Sequence, residues 1–513
     1  MKFKTPFVLS LLSLFSIGES AAHGINGHVH VTGWAVESLP DGDLRSFFAS
    51  SRLRDIAQIG ASFPDSGYAI GDGYGEIAHW EPFIQGYLSW LIERHGPDFA
   101  SDEAQAHLAF LMGAASHGLQ DEIFDSTFLY ATEQHDGRGQ DETDPGTDAF
   151  LFTDGHLSFL PPVYLPAADL VEVFQTRQGH EVSEDTLAAG MARVHFFVLE
   201  SWPAIAPTQD AKFRAAIPWA AAHYMDPDVT GSLRSEVPAT LGYLEALFMR
   251  VHGRFSMSDL VRHVYPSQGR RLSANDPALV ESFITVVLGQ GCRVGSANTD
   301  TVKLLDEAGL EVPLTVTHTR WTTRADDFSR LIQLRPAVEL RPDAEYEIHL
   351  LPGLELQDGR VLDVELVEHL RSACEPDAEG CTPYFGAGPN DPVRRAYPPE
   401  PPQMDRPDAR ADAGAGDRDG GVSALDVPSA SADVVTPNLE PSPRSSVGGG
   451  CTTSLGLPSL SFAWLAVPLS FAWLAVPLSF AWLAVPLSFA WLAVPLLALL
   501  FARRARRPRS TIR

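Results

Sequence analysis

Cysteine is scarce, with four residues in 513. That excludes a disulfide-dense scaffold, in which cross-links replace a large core. Positive charge is scarce too. Lys and Arg number 38 against 65 Asp and Glu, for a formal net charge of −27. The basic residues gather at the ends, with two Lys in the first 22 residues and six Arg in the last eleven. The body between them is more acidic still and repels a polyanion, so no nucleic-acid partner held by a basic surface is expected. A phosphate bridged by metal ions remains compatible with such a body. Charge of either sign is absent between Arg444 and Arg503. Apolar residues, at 45%, suffice to bury a core, and the length allows about three domains.

The chain opens MKFKTPFVLSLLSLFSIGESAA, two Lys before a short apolar run and then small residues. This reads as a secretory signal over 1–22, too short to span a membrane. Cleavage after Ala22 makes His23 the first residue of the mature chain. At the other end LSFAWLAVP recurs four times in tandem from Leu460 to Pro495, followed by ARRARRPRSTIR. As one helix, 460–502 would be about 65 Å long, twice the roughly 30 Å hydrocarbon core. Pro at every ninth position would interrupt it. The better single span is 478–502, with the Arg cluster on the cytoplasmic side. GGGC, ending at Cys451, precedes the repeats. The order Gly-Cys, apolar segment, Arg cluster resembles the sorting tails of myxobacterial surface proteins. That resemblance implies processing at Cys451 by a sorting protease; the alternative is a plain single-pass anchor. Either way 451–513 is a membrane or sorting tail, and the protein is expected to be exported and displayed at the cell surface (outer membrane) or secreted.

Between the ends, 385–450 is rich in Pro, Gly, Ala, Asp and Ser, and cannot bury enough surface to offset chain entropy. It reads as a disordered linker, with an r.m.s. reach of roughly 45 Å. Residues 23–265 carry apolar positions at helical spacing, as in DEAQAHLAFLMGAASHGLQDEIF. Over 280–370 short segments rich in Val, Ile, Leu and Thr alternate with turn residues: ESFITVVLGQ, DTVKLLD, VPLTVTHTRW, SRLIQLRP, AVELRP and AEYEIHLLP. Their order resembles bacterial Ig-like modules of the surface-layer type, or another small sandwich. Cys374 and Cys381 could close a short loop, leaving Cys292 unpaired. The expected fold is thus a mainly α-helical domain, a small β-sandwich (Ig-like) domain, a disordered linker and a C-terminal membrane segment.

The 17 His are uneven, with eight between His23 and His135. His28 and His30 stand in GHVHVTGW, Asp65 in GASFPD and His79 in EIAHWEPF. His117, Asp121 and Asp125 recur at i, i+4 and i+8, so they share one helix face. A His and an Asp one turn apart can grip a divalent cation. Leu108, Phe110, Leu111 and Phe124 flank that face, so the polar groups point inward, where burial without a partner costs several kcal/mol. Hydrogen-bonded core His with surface Asp is the alternative reading. Trp34, Trp80 and Phe83 could line an apolar mouth, with core packing the commoner role for each. His107, ten positions before His117, is expected to lie off the cation face and to matter little.

In order, HVHVTGWAVESL, GASFPDSGY, AHWEPFIQGYLSWL, AFLMGAASHGLQDEIFD and GTDAFLF resemble the zinc-dependent phospholipase C family, and most its branch that includes glycosylphosphatidylinositol-specific phospholipase D. The resemblance covers about 23–255. It implies a phospholipase C-like helical domain holding two to three Zn2+ ions. Asp65, His79, His117 and Asp121 would hold one; Asp121, His28 and the N-terminal His23 would hold another. It implies phosphodiester hydrolysis of phospholipid at a membrane surface, with Asp65 both a ligand and the general base for the attacking water.

The sequence departs from that pattern at the third site. Asp125 stands where the branch has His, and Gln140, Asp144 and Asp148 fall where it has a His and then an acid. This leaves Asp125, Asp144, Asp148 and the imidazole of His135. Oxygen ligands favour Ca2+, Mg2+ or Mn2+ over zinc. Two other functions stay open. The family implies a single-strand nuclease, against which the acidic body argues. The changed ligands keep open a non-catalytic surface adhesin whose metals only staple helices.

Overall fold

A computed structural model describes residues 24–372, apart from 97–98, 158–160, 228, 267–282, 320–323, 325–326 and 342–343. His23 and the expected signal segment, Cys374, Cys381, the 385–450 linker and the tail from Cys451 lie outside the described residues. No helix among the described residues is long and apolar enough to cross a membrane.

The first part is helical. It runs α1 (Ile25–Glu37), α2 (Asp43–Phe47), α3 (Ser51–Gly60), α4 (Phe63–Tyr68), α5 (Tyr74–His79), α6 (Glu81–His95) and α7 (Asp102–Ser126). Then follow α8 (Phe128–Asp136), α9 (Gln140–Thr153), α10 (Ala167–Val173), α11 (Glu184–Val194), α12 (Trp202–Ala216), α13 (Pro218–His223) and α14 (Leu233–Val251).

Helix α7 is the axis of this body. Its start is fixed by Ser101, whose Oγ accepts from the Ala104 N–H at 3.1 Å, with Asp102 and Glu103 in the positive first turn. Every residue from Ala106 to Ser126 is buried. A helix wrapped on all sides is normally apolar all round. This one carries His117, Gln120, Asp121, Glu122 and Asp125 inside, and each needs a partner. Glycine lets α3 and α7 meet backbone to backbone. A Cβ on Gly113 would stand 2.0 Å from the Ala57 carbonyl oxygen, and one on Gly60 would stand 2.6 Å from that of Phe110.

The second part is antiparallel β. Strand β1 (Val261–Tyr265) falls inside the stretch expected to be helical. It is followed by β2 (Ile284–Arg293), β3 (Val302–Asp306), β4 (Leu314–Thr317), β5 (Phe328–Pro336), β6 (Glu345–Leu350) and β7 (Leu366–Arg371). Of AVELRP, read as a strand segment, the described residues 337–341 are a bend and loop after β5. One sheet has the order β1-β2-β5-β4 and the other β3-β6-β7. Ile284, Val286 and Leu288 of β2 join Ile332, Leu334, Leu304 and Ile348 in a second apolar cluster. Val287 and Leu331 point the other way, into the core of the helices. The first sheet is therefore covered on both faces, which is why ITVVL is apolar without alternation.

Gly113→Ala tests the α3–α7 contact. A methyl against a carbonyl oxygen outweighs the roughly 1 kcal/mol that Ala gains over Gly in a helix. A net loss of about 1–3 kcal/mol is expected, read as a lower urea midpoint at unchanged slope.

Candidate metal centre

Four elements bring the donors together. Pro64 in the first turn of α4 starts a short helix that presents Asp65. His79 is the last residue of α5. His117 and Asp121 stand one turn apart on α7, and His28 sits in α1. All five are at most 3% exposed.

Two of the imidazoles have fixed tautomers. His79 Nδ1 lies 2.6 Å from the Gly75 carbonyl oxygen, and His117 Nδ1 lies 2.6 Å from that of Ala61. A carbonyl only accepts, so each Nδ1 carries the proton and each Nε2 keeps its lone pair. Yet the two Nε2 atoms face each other at 3.0 Å. His79 Nε2 is also 3.3 Å from Asp65 Oδ1 and 3.5 Å from Asp121 Oδ2. His117 Nε2 is 3.2 Å from Asp121 Oδ2 and 3.8 Å from Asp65 Oδ1. Four electron-pair donors thus converge with no proton between them unless an imidazole is charged. A tetrahedral zinc with bonds near 2.0–2.1 Å has donor–donor edges of about 3.3 Å, and the separations here bracket that value.

A relay orients His28 as well. Ser116 Oγ is 2.7 Å from the Gly113 carbonyl oxygen and must donate to it. Thr32 Oγ1 then donates to Ser116 Oγ at 2.7 Å and accepts from Gln120 Nε2 at 3.1 Å. Gln120 thereby turns Oε1 to His28 Nδ1 at 2.9 Å. His28 Nε2 is left facing Asp121 Oδ1 at 3.0 Å. Asp121 therefore serves both groupings, Oδ2 toward His79 and His117 and Oδ1 toward His28. Donor atoms of His28, His117 and Asp121, and of Asp65, His79 and His117, lie within 4.8 Å of one another.

With no ion between them, the electrostatics place the extra proton on His79. Burial alone would lower the His79 pKa, but the bond to Asp65 and the charge of Asp121 outweigh it and hold it at about 9. His117 is lowered by burial, against the pull of Asp121. Asp121 is held well below the ordinary carboxylate range because His117 and His28 outweigh its burial.

Beside this stands a second, acid-rich group. Asp125 is fully buried, one turn beyond Asp121. Asp144 is raised well above its ordinary value by burial and then by Asp125, Asp121, Asp65 and Asp148. Its Oδ1 is buried without a hydrogen-bond partner. Asp148 is raised to about 6 by burial, although Asn26 and Gly27 stabilise its charge. Its Oδ2 accepts from the Asn26 side chain at 2.7 Å and its Oδ1 from the Gly27 N–H at 3.0 Å, so it closes the N-terminus of α1. Gly24, the first described residue, packs on it: a Cβ there would be 2.3 Å from Asp148 Oδ1. Glu236 of α14 joins from far along the chain, raised well above its ordinary value by burial, Asp121 and Asp125. These side chains fit cations of the hard, oxygen-preferring kind.

Other sequence expectations fall elsewhere. His135 is exposed near the end of α8, its ring stacked on Trp219 at 4.6 Å, and belongs to neither grouping. Gln140 begins α9. His30 turns away toward His156, and burial followed by His156 lowers its pKa to about 3. Trp34 and Phe83 are core residues, while Trp80 is half-buried beside His79. His107 stands apart from both groupings. It is buried, bonded to Tyr87 Oη at 2.7 Å and to Asp169 Oδ2 at 3.1 Å, and its donors lie near those of His95 and Glu103. The reading from sequence missed Gln120, Thr32, Ser116 and Glu236, which have no motif spacing of their own. The one available signal was a Gln next to Asp121 on a helix with no exposed face.

Comparison with known proteins gives one partial match to report. Over 147 residues, 26% of this chain, the sequence is 28% identical to phosphatidylinositol-glycan-specific phospholipase D of Dictyostelium discoideum. The match spans 15% of that protein's length. No family model matches the chain. Among solved structures, surface layer protein SbsC, domains 1–6, aligns at 10% identity over 63% of this chain and 46% of that one, with a TM-score of 0.17. The N-terminal part of SbsC aligns at 12% identity over 63% of this chain and 79% of that one, with the same score of 0.17. Scores that low carry no statement about the fold.

Gln120→Leu keeps the volume and removes the acceptor that orients His28. The variant is expected to fold and to bind Zn2+ about 10–100-fold more weakly in a chelator competition. Stripping metal from the unaltered chain with EDTA is expected to lower its melting temperature by on the order of 5–10 °C, recovered on adding Zn2+.

Proposed function

We propose that the protein is a metal-dependent phosphodiester hydrolase acting on phospholipids, with phospholipase C-type chemistry in the helical body and an Ig-like β-sandwich behind it. The observation that carries the reading is the set of three imidazoles with bound Nδ1 atoms, whose Nε2 atoms converge on Asp65 and Asp121. Asp65, His79, His117 and Asp121 would hold one Zn2+. His28 and Asp121 would hold a second, with His23 completing it where the leader has been removed. Asp125, Asp144, Asp148 and Glu236 would take a further ion, Ca2+ or Mg2+ as readily as zinc. The partial similarity to a phospholipase D supports a phospholipid substrate.

Bound divalent ions supply neutralisation of phosphate charge and a lowered pKa for water. The chain's own residues do the rest. The buried carboxylates of Asp65, Asp121, Asp125, Asp144, Asp148 and Glu236 repel a phosphodiester wherever they are ionised, until that charge is offset. The Nδ1 bonds hold His79 and His117 so that neither ring can turn its protonated edge to the site. Asp65 directs Oδ1 at the histidines, which leaves its second oxygen to accept a proton from the attacking water. Export by the N-terminal signal and display by the tail at Cys451 would set the site against a membrane surface.

Burial favours a second reading. Every donor of the first two groupings is at most 3% exposed, as a purely structural staple requires.

The experiment compares the full chain on phospholipid vesicles and on single-stranded DNA. Release of a phosphorylated head group is expected, with DNA left intact, and His117→Ala should lower kcat on the order of 10²–10³-fold with loss of metal. DNA cleavage would make it a nuclease. Bound metal with neither activity would make it a staple. Unchanged hydrolysis in His117→Ala sinks the site. Display is tested by truncation after Val447, expected to release to the medium a protein that is otherwise held by cells. Equal partition of both forms rejects the anchor, and Cys451→Ser separates a processed tail from a plain membrane span.

A further inference from the structure

We propose that Arg330, carried into the helical body by strand β5, is a positioning residue for the metal centre, and that the first sheet is therefore a constituent of the site. The inference rests on the metal-centre reading above. Arg330 is fully buried. Its Nη2 donates to the His79 carbonyl oxygen at 3.2 Å and to Glu122 Oε1 at 3.1 Å, and its Nη1 to the Ala115 carbonyl oxygen at 3.4 Å. Its backbone N–H donates to Glu122 Oε2 at 2.9 Å.

Each acceptor belongs to a donor residue of the site or stands beside one. His79 ends α5, a six-residue helix whose last carbonyls have no partner within it. Arg330 satisfies the final one and meets the negative end of the helix with a positive charge. Glu122 follows Asp121, and Ala115 precedes His117 by two. One guanidinium fork thus joins the end of α5 to the stretch of α7 that carries the other donors. Its rigid planarity matters here, because an ammonium cannot hold three acceptors in a fixed plane.

The space is cut to this contact. A Cβ on Gly118 would stand 2.0 Å from the His79 carbonyl oxygen and 2.8 Å from Arg330 Nη2. Across the same boundary a Cβ on Gly291 would stand 2.7 Å from Glu81 Cγ, and one on Gly289 2.6 Å from Ala246 Cβ. Glu81, two residues past His79, is itself buried, paired with Arg250 at 2.9 Å and accepting from Tyr243 Oη at 2.8 Å. The Arg330–Glu122 pair ties the sheet to α7, and Arg250, paired with Glu81 between two helices, reaches the sheet through the Gly289 carbonyl oxygen at 3.4 Å. Such pairs specify one arrangement, because a slip leaves a buried charge alone. A shift of α5 by a few tenths of an ångström moves His79 Nε2 against His117 Nε2, which it meets at 3.0 Å.

The test uses the full chain with Arg330→Lys, the double variant Arg330→Met with Glu122→Gln, and Ile348→Ala. Ile348 packs in the second apolar cluster from β6, in the sheet that does not contain β5. Zn2+ affinity is measured by chelator competition, and site geometry by the visible absorption of the Co2+-loaded protein. Both Arg330 variants are expected to bind Zn2+ about 10–100-fold more weakly and to change the Co2+ bands. Ile348→Ala should lower the melting temperature and leave the bands alone. Arg330→Met by itself leaves Glu122 buried without its partner, so the double variant is read in its place. Wild-type affinity and bands in both Arg330 variants overturn the inference while the metal centre stands. An unaltered chain that takes up neither ion overturns the metal centre, and this inference with it.

Discussion

The structure depends on burying like charge at one place. Asp65, Asp121, Asp125, Asp144, Asp148 and Glu236 are each at most 8% exposed, and imidazoles stand beside Asp65 and Asp121. Carboxylates taken from water without compensation either hold protons or gather cations. The raised Asp144, Asp148 and Glu236 follow the first course. Asp121, lowered by His117 and His28, follows the second. Much of the packing serves this arrangement. Helix α7, buried from Ala106 onward, supplies two of the converging donors, glycines let α3 and α5 approach it, and carbonyls of neighbouring segments hold the rings.

What the sequence disclosed follows from periodicity. His117, Asp121 and Asp125 at four-residue intervals on an apolar helix are legible because helix geometry alone places them on one face. Asp65, His79 and His28 are legible only through their resemblance to a known order of motifs. Glu236 and Arg330 were not legible at all. Each reaches the site through tertiary packing from more than a hundred residues away, and an Arg in SRLIQLRP looks like any outward strand residue. Gln120 was hidden differently, since its role depends on a hydrogen-bond direction fixed at Gly113 and passed through Ser116 and Thr32. The β segments were readable as short apolar runs, but β1 was absorbed into the preceding helical stretch, and AVELRP lacked a partner strand.

Chains are commonly divided where secondary structure changes, and here that division would fall near 260. The physical boundary is different. Val287 and Leu331 belong to the helical core, while Ala246 and Phe255 belong to the cluster between the sheets. Residues 24–372 fall within one compact unit. The buried pairs Arg330–Glu122 and Arg250–Glu81 lie on that shared surface, where a hydrophobic contact alone would leave the register loose.

The separation of Arg330 from its acceptors has a consequence for the order of events during synthesis. Glu122 and His79 precede it by 208 and 251 residues. Closing so long a loop is slow and waits on the intervening chain. A chain leaving the ribosome or an export channel N-terminus first has all its imidazole donors emerged well before β5 arrives to lock α5 against α7. On the metal-centre reading, an ion met before then would be held loosely and exchanged, and selection among competing metals would wait for the strand to dock.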